Sequence, residues 1–190
     1  MPVRYLVVDH IAVITIDNPP VNALNAEIQE GLRDGLARAM ADANVQSVVL
    51  NGSGTTFVAG ADIKQLEAMA YSGVVESALP GILAELELGP KPVVAAIHGN
   101  AFGGGLEIAL ASHYRIASPN SRFGQPEVKL GIIPGAGGTQ RLPRLAGVET
   151  ALEMSVFGEP IGVEEARRVG IIDRIVEGDL LAAALSFAHE

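Results

Sequence analysis

The stretch Gly99-Asn100-Ala101-Phe102-Gly103-Gly104-Gly105-Leu106-Glu107 places three consecutive glycines directly before an apolar segment. Consecutive glycines cost conformational entropy on folding, so we expect them where the backbone must approach a ligand or a packed neighbour closely. Residues 106–112 (LEIALAS) predict a helix that is apolar at almost every position except Glu107. A carboxylate on such a helix is either buried, and then paired, hydrogen-bonded or protonated, or it lies on one exposed stripe.

Strand and helix patterns alternate on both sides of this stretch. Short apolar runs predict strands at Val3–Val8, Ile11–Ile16, Ser47–Leu50, Val93–Ile97 and Tyr114–Ala117, with a further candidate at Ile171–Val176. Helices are predicted from an N-cap at Asn25, at 62–70, 74–88 and 106–112, and over most of 148–188, whereas the Gly- and Pro-rich residues 119–138 predict a loop. Strands separated by helices favour an α/β fold with largely parallel pairing. Strand–strand–helix units recur loosely along the chain.

Length and composition exclude several classes of protein. A chain of 190 residues suits one domain that buries about 70% of its surface. It has no cysteine, so disulfides and thiolate metal sites are excluded, and its four histidines have no metal-ligand spacing. A net charge of −9 argues against a nucleic-acid partner. Charged residues, Gly or Pro interrupt every apolar run, and a strand pattern stands where a leader would, so we expect no membrane partner and a cytoplasmic protein.

The nucleotide-binding and hydrolase motifs are missing. The sequence contains no G-x-G-x-x-G, no lysine that follows a glycine as in a P-loop, and no G-x-S-x-G elbow. A nucleotide-dependent dehydrogenase, an NTPase, a serine hydrolase and a zinc enzyme are therefore disfavoured.

Two other segments carry candidate functional residues. Phe57–Lys64 (FVAGADIK) is a small-residue turn that opens a helix, and it can present free backbone N–H groups to an oxygen, or be a plain loop capped by Asp62. Phe123–Gly131 (FGQPEVKLG) holds Glu127 in a stiff loop after a proline, where it is a functional carboxylate or a solvated glutamate near Lys129.

Together these motifs resemble the crotonase (enoyl-CoA hydratase/isomerase) family. The matching residues are the Ala59-Gly60-Ala61-Asp62 turn, Gly103-Gly104-Gly105 with Glu107, Pro126-Glu127, and Pro134-Gly135-Ala136-Gly137-Gly138-Thr139. The motifs occur in the family's order, from the first hairpin to about residue 178. The resemblance implies a crotonase-like spiral of ββα units with a helical C-terminal segment, which agrees with the recurring strand–strand–helix pattern.

The resemblance also implies a role for each site residue. The N–H groups of Ala61 and Gly104 would form an oxyanion hole for the thioester oxygen of an acyl-CoA substrate. Glu107 would activate the water that attacks C3, and Glu127 would deliver a proton to C2. A helix beginning at Gly135 would favour the enolate through its dipole. The implied substrate-binding residues are Leu24, Ala59, Asp62, Ile63, Lys64 and Gly135. CoA is part of the substrate, and neither a metal nor a separate cofactor is implied.

Both glutamates are present, so a hydratase acting in fatty-acid β-oxidation is preferred. The alternatives are a Δ3-Δ2-enoyl-CoA isomerase, which can work with Glu127 alone, an acyl-CoA-binding fragment without turnover, and a hydrolase or dehalogenase on this fold. Asn18–Leu24 and Ser112–Ala117 resemble the hydratase part of bifunctional enoyl-CoA hydratase/3-hydroxyacyl-CoA dehydrogenase chains. We therefore expect residues 1–190 to be one domain that is truncated at its C-terminus, with the trimer of the family or a covalent dehydrogenase domain as its partner.

Overall fold

Nine strands form two sheets in the part of the chain that the computed structural model describes, which is residues 2–63, 67 and 77–190. The strands are β1 Val3–Val8, β2 Ile11–Ile16, β3 Ser47–Gly52, β4 Val93–Ile97, β5 Asn100–Phe102, β6 Tyr114–Ala117, β7 Arg122–Gly124, β8 Ile161–Gly162 and β9 Arg174–Ile175. The main sheet has the order β1-β2-β3-β4-β6-β9, and the small sheet has the order β5-β7-β8. In the main sheet only β1 and β2 pair antiparallel, which confirms the predicted parallel architecture.

Helices follow the strands along the described chain. They are α1 Ala26–Ala41, α2 Leu79–Leu88, α3 Gly104–Ala111, the 3-10 helix Pro126–Leu130, α4 Gly138–Val156, α5 Val163–Arg168 and α6 Leu180–Phe187. Asn25 caps α1 as predicted, because its side chain accepts a hydrogen bond from the Ile28 N–H at 2.9 Å. None of the described helices is both long and apolar enough to cross a membrane.

The central strands β2, β3 and β4 of the main sheet are buried on both faces. Alternate residues of β2 point to opposite sides, so that Ala12, Ile14 and Ile16 join the larger core cluster. Ile11 and Val13 join a smaller cluster on the other face, which α6 covers through Ala184. Near-continuous apolar strands are what a parallel sheet covered on both faces requires.

The recurring strand–strand–helix pattern is a real structural repeat. In the units β4-β5-α3 and β6-β7-3-10 helix-α4, the first strand lies in the main sheet and the second strand turns into the small sheet. In each unit, the helix that follows the second strand begins beside that strand. This arrangement brings the glycine-rich start of α3 and the 3-10 helix to the same edge of the small sheet, through the parallel pairing of β5 with β7.

Several predicted boundaries are wrong. The segment 119–138 is not all loop, since it contains β7 and the 3-10 helix, and the helix predicted to begin at Gly135 begins at Gly138. Helix α3 begins at Gly104 rather than at residue 106. The described part of the predicted helix 74–88 is helical from Leu79.

In the C-terminal half, other predicted boundaries also differ from those in the structure. One further predicted helix lies mostly outside the described residues. The predicted strand at Ile171–Val176 shortens to β9, and β8 lies within the region predicted to be mostly helical. Most of the predicted helix 62–70 lies outside the described residues.

Candidate active site

A cavity of about 940 Å³ opens beside the glycine-rich start of α3. Its wall is mostly apolar and contains the predicted site residues Leu24, Ala59, Ala61, Asp62, Ile63, Gly104, Glu107, Glu127 and Gly135. Lys64, which the sequence also predicted, lies outside the described residues. Residues from five separate stretches of the chain therefore meet at one cavity.

The turn at Ala59–Asp62 runs parallel to the end of β5. Val58 pairs with Ala101 in a parallel bridge. Because the two segments run in the same direction, Ala61 and Gly104, each three residues beyond the bridge, lie near each other. On its other side Ala61 pairs with Leu24, whose N–H donates to the Gly60 carbonyl at 2.8 Å. The side chain of Leu24 in turn packs against Gly104, where a Cβ atom would lie 2.9 Å from Leu24 Cδ1.

Two backbone donors of the cavity wall have no hydrogen-bond partner among the residues that the structure describes. Among the described residues, no acceptor receives a hydrogen bond from the N–H of Ala61 or from the N–H of Gly104, which is the first residue of α3. The first N–H groups of a helix have no intrahelical acceptor. Both residues line the cavity, so both donors are available to an oxygen atom of a ligand.

Gly103 brings Glu127 close to the start of α3. Its φ of 51° is in the region that favours glycine, and a Cβ atom at this position would lie 3.1 Å from Glu127 Oε1. A larger residue would therefore be strained in its backbone and would press on the carboxylate. The glycine run thus serves close approach, as the sequence predicted.

Glu107 is buried, with 3% of its surface exposed, and its alternative placement on an exposed stripe is wrong. Its Oε1 accepts hydrogen bonds from the N–H of Ala136 at 2.8 Å and from the N–H of Gly138 at 2.7 Å. Burial raises the pKa of Glu107, and these two donors together with the positive charge of Arg141 act in the opposite direction. Because both donors hold Oε1, Oε2 is the oxygen left for a water molecule in the cavity.

Glu127 lies in the 3-10 helix, half-buried in the cavity wall. Burial raises its pKa to about 7; its own backbone N–H acts in the opposite direction, and the negative charge of Glu107 adds a smaller rise. Lys129 does not neutralise it, since the Lys129 ammonium pairs with Glu159 at 2.8 Å. The alternative of a solvated glutamate beside Lys129 is therefore wrong.

Gln125 is a site residue that the sequence did not single out. It is fully buried, and with its amide in the orientation that satisfies its neighbours, Nε2 donates to Glu127 Oε1 at 2.8 Å and to Oε2 at 3.0 Å. The same amide packs against Gly138, whose N–H holds Glu107. The sequence offered only a weak indication of this role, namely an amide two residues before Glu127.

Arg141 supports the loop that holds Glu107. Its Nη1 donates to the Ala136 carbonyl at 3.0 Å, and its Nε and Nη2 donate to Glu87 Oε2 at 3.1 and 2.7 Å. Gly137, with φ 102°, lets the guanidinium lie against the backbone between the two donors to Glu107. Arg141 thus holds in place the backbone segment whose N–H groups donate to Glu107.

No cluster of three or more His, Cys, Asp or Glu side chains suited to a metal ion occurs within residues 2–63, 67 and 77–190. The described cavity brings together two carboxylates, backbone N–H donors and a mostly apolar wall.

A spiral of ββα units with two carboxylates in one apolar cavity defines a crotonase-type protein. Residues 8–190 match the family model described as Enoyl-CoA hydratase/isomerase, and the chain belongs to that family. The fold predicted from the motifs is thereby confirmed.

Individual relatives agree with this assignment. The chain is 45% identical over 188 residues to the peroxisomal bifunctional enzyme of Cavia porcellus, covering 98% of this chain and 26% of that protein. It is 47% identical over 165 residues to a Bacillus subtilis protein named "Probable enoyl-CoA hydratase", covering 85% of this chain and 64% of that protein. The structure of an enoyl-CoA hydratase from Bacillus anthracis superposes with a TM-score of 0.90 at 35% identity, covering all of this chain and 76% of that one. The chain spans about a quarter of the length of the bifunctional relatives.

Proposed function

We propose that this chain adds water to the double bond of a 2-trans-enoyl-CoA thioester. The observation that carries the proposal is the pair of cavity carboxylates in unlike environments. Burial raises the pKa of both groups, but two backbone N–H groups oppose this rise at Glu107, whereas the pKa of Glu127 reaches about 7. Two carboxyl groups with separated proton affinities can act as a base and an acid in the same step.

In the proposed reaction the thioester oxygen accepts hydrogen bonds from the N–H groups of Ala61 and Gly104. These donors stabilise the enolate that forms, and by analogy with other oxyanion holes each contributes about 3 kcal/mol. Glu107 takes a proton from water as the water oxygen bonds to C3, and Glu127 gives its proton to C2. The two carboxylates neighbour each other through Gln125 and Gly138, which supports addition to one face of the double bond.

The test is the ultraviolet absorbance of crotonyl-CoA during incubation with the protein. We expect the absorbance to fall with the wild type, and Glu107→Gln and Glu127→Gln each to slow that fall by about 100-fold or more. Glu149→Gln, at an exposed position of α4, is the matched control and should keep the wild-type rate. Binding of crotonyl-CoA by the wild type without any fall in absorbance would contradict the proposal and would favour an acyl-CoA-binding module.

A second candidate activity is isomerisation of a 3-enoyl-CoA to a 2-enoyl-CoA. The raised pKa of Glu127 favours it, because a carboxyl group with a pKa of about 7 can both accept and return a proton near neutral pH. The isomerase would shuttle one proton between C2 and C4 and would not need Glu107. Conversion of 3-hexenoyl-CoA by the Glu107→Gln variant at the wild-type rate would support this activity, and its loss would contradict it.

We also propose that the chain works as the hydratase part of a longer bifunctional protein with a 3-hydroxyacyl-CoA dehydrogenase domain. Relatives named bifunctional or multifunctional enzymes are covered to only about a quarter of their length, which supports the proposal. Detection of the endogenous polypeptide with an antibody to this chain tests it. A single species near 19.7 kDa would contradict the proposal.

A further inference from the structure

Gln29 is a buried amide in the cavity wall that the proposed reaction does not use. It lies in α1 with 7% of its surface exposed, and it lines the cavity. Its Oε1 accepts hydrogen bonds from the N–H of Ala78 at 3.0 Å and from the Ser77 hydroxyl at 3.2 Å. A backbone N–H can only donate, so Ala78 fixes the orientation of the amide, and Nε2 must point away from the start of α2.

The Nε2 group of Gln29 has no acceptor among the described residues. Within that part of the chain, the buried side-chain atoms without a hydrogen-bond partner are Tyr5 Oη and Asn51 Oδ1. Gln29 lines the cavity and its Oε1 is held at the start of α2, so we infer that Nε2 faces the cavity. An amide donor held in a mostly apolar wall lacks a hydrogen bond until a ligand supplies an oxygen atom.

Gln29 and the two glutamates lie on different elements of the cavity wall. Ala78, to which it is bonded, precedes Leu79, and a Cβ atom on Gly104 would lie 3.1 Å from Leu79 Cδ2. Gln29 therefore belongs to the wall formed by α1 and α2 on the Leu79 side of Gly104. Glu127 lies in the wall formed by the 3-10 helix.

We propose that Gln29 Nε2 donates a hydrogen bond to a carbonyl or hydroxyl oxygen of the bound acyl-CoA other than the thioester oxygen. The proposal rests on the proposed function, because it takes acyl-CoA as the ligand. Two parts of such a ligand carry this chemistry. They are the amide-containing pantetheine arm, and an acyl chain that bears a keto or hydroxyl group. In either case Gln29 sets specificity by selecting for an acceptor at this point of the cavity.

Gln29→Glu is the sharpest test, because it keeps the shape and the Oε1 acceptor of the side chain and replaces the donor Nε2 with an oxygen of a charged carboxylate. A glutamate can still accept from Ala78 N–H and Ser77, and a carboxylate near the first turn of α2 is favourable, so the variant should fold. The donor, however, becomes an acceptor. Ser77→Ala is the control, since it removes one partner of Oε1 and leaves Nε2 in place.

Binding is measured by calorimetry with saturated thioesters, which the protein cannot hydrate. The probes are butyryl-CoA, hexanoyl-CoA and 5-oxohexanoyl-CoA. We expect Gln29→Glu to bind at least one probe about fivefold or more weakly than the wild type, and Ser77→Ala to bind as the wild type does. Weakening of all probes alike would place the acceptor on the pantetheine arm, whereas weakening of 5-oxohexanoyl-CoA alone would place it on the acyl chain.

Equal affinities of the wild type and Gln29→Glu for every probe would overturn the Gln29 proposal and leave the proposed function standing. Failure of the wild type to bind any of the thioesters would contradict both proposals. Binding without turnover of crotonyl-CoA would contradict only the hydratase activity, since the calorimetric comparison does not depend on catalysis.

Discussion

The N–H of Gly138 donates to Glu107 Oε1 at 2.7 Å, so that the first residue of helix α4 is bonded to the carboxylate of helix α3. The N-terminus of a helix carries partial positive charge and unpaired N–H groups, which together favour an anion. This contact opposes the effect of burial on Glu107. The helix predicted to face the enolate therefore faces the proposed base, because it begins three residues later than the sequence indicated.

Gly138→Ala should damage the site without a backbone defect. A Cβ atom at residue 138 would lie 3.0 Å from Glu107 Oε1 and 3.1 Å from Glu107 Cγ, and it would also meet the Gln125 amide. Glu107 and Gln125 would both have to shift, and we expect kcat for crotonyl-CoA hydration to fall by about tenfold to 100-fold. Gly81→Ala is the control, because a Cβ atom there meets nothing within 4 Å, and it should keep kcat. An unchanged kcat for Gly138→Ala would show that this packing does not position Glu107.

Most of the main sheet could be predicted from sequence, except for the bounds of β9, whereas the small sheet could not. The bounds of β1, β2, β4 and β6 match the prediction because each is an apolar run with its own local signal. The strands β5, β7 and β8 have two or three residues each, and pairing partners far along the chain define them. No local pattern reports such pairing.

The site residues likewise divide into those that the sequence could predict and those that it could not. Glu107 and Glu127 stood out because a carboxylate in an apolar or proline-bounded segment is unusual. The donors that hold Glu107 are backbone N–H groups, which carry no residue-type signal. Gln29 and Ser77 are 48 residues apart in the sequence, so their contact required the fold.

The charge of Glu127 should make stability depend on pH. Its pKa is raised from 4.5 to about 7 in the folded protein, so folding favours its protonated form. The stability contributed by this form is fully present below about pH 4.5 and is lost as pH rises through about 7. Glu127→Gln, which imitates the protonated form, should therefore gain stability over the wild type between pH 5 and pH 8, by about 2 kcal/mol after allowance for partial solvent contact.

Urea unfolding of both proteins at pH 5 and pH 8 measures this difference. Glu149→Gln at an exposed position of α4 is the control, and it should show the same small difference from the wild type at both pH values. A Glu127→Gln difference that did not grow with pH would contradict the raised pKa.

Removal of the Arg141 charge should shift the pH dependence of catalysis. Arg141 lowers the pKa of Glu107 and holds the Ala136 carbonyl at 3.0 Å. In Arg141→Gln the pKa of Glu107 should rise, and since hydration requires ionised Glu107, the acidic limb of kcat/KM should move to higher pH. Initial rates of crotonyl-CoA hydration across the pH range measure the shift.

The control for this shift is Glu87→Gln. It frees Arg141 from Glu87 but keeps the guanidinium charge, so the acidic limb should stay in place or move slightly to lower pH. If the acidic limb moved to higher pH in both variants, the position of Arg141, rather than its charge, would determine the pKa of Glu107.

The buried guanidinium of Arg115 should be a large contributor to stability. Its Nε donates to the Ile171 carbonyl at 2.7 Å, and its Nη1 donates to the carbonyls of Ala109 and Ser112 at the end of α3. Lysine keeps the charge but cannot reproduce this fork of donors. Arg115→Lys should leave buried carbonyls unpaired and lower the free energy of unfolding by about 3 kcal/mol, measured by urea titration with circular dichroism. Arg168→Lys is the control: its partner Glu165 is exposed, so this variant should unfold at the same urea concentration as the wild type. An equally small effect of Arg115→Lys would mean that water replaces the lost donors.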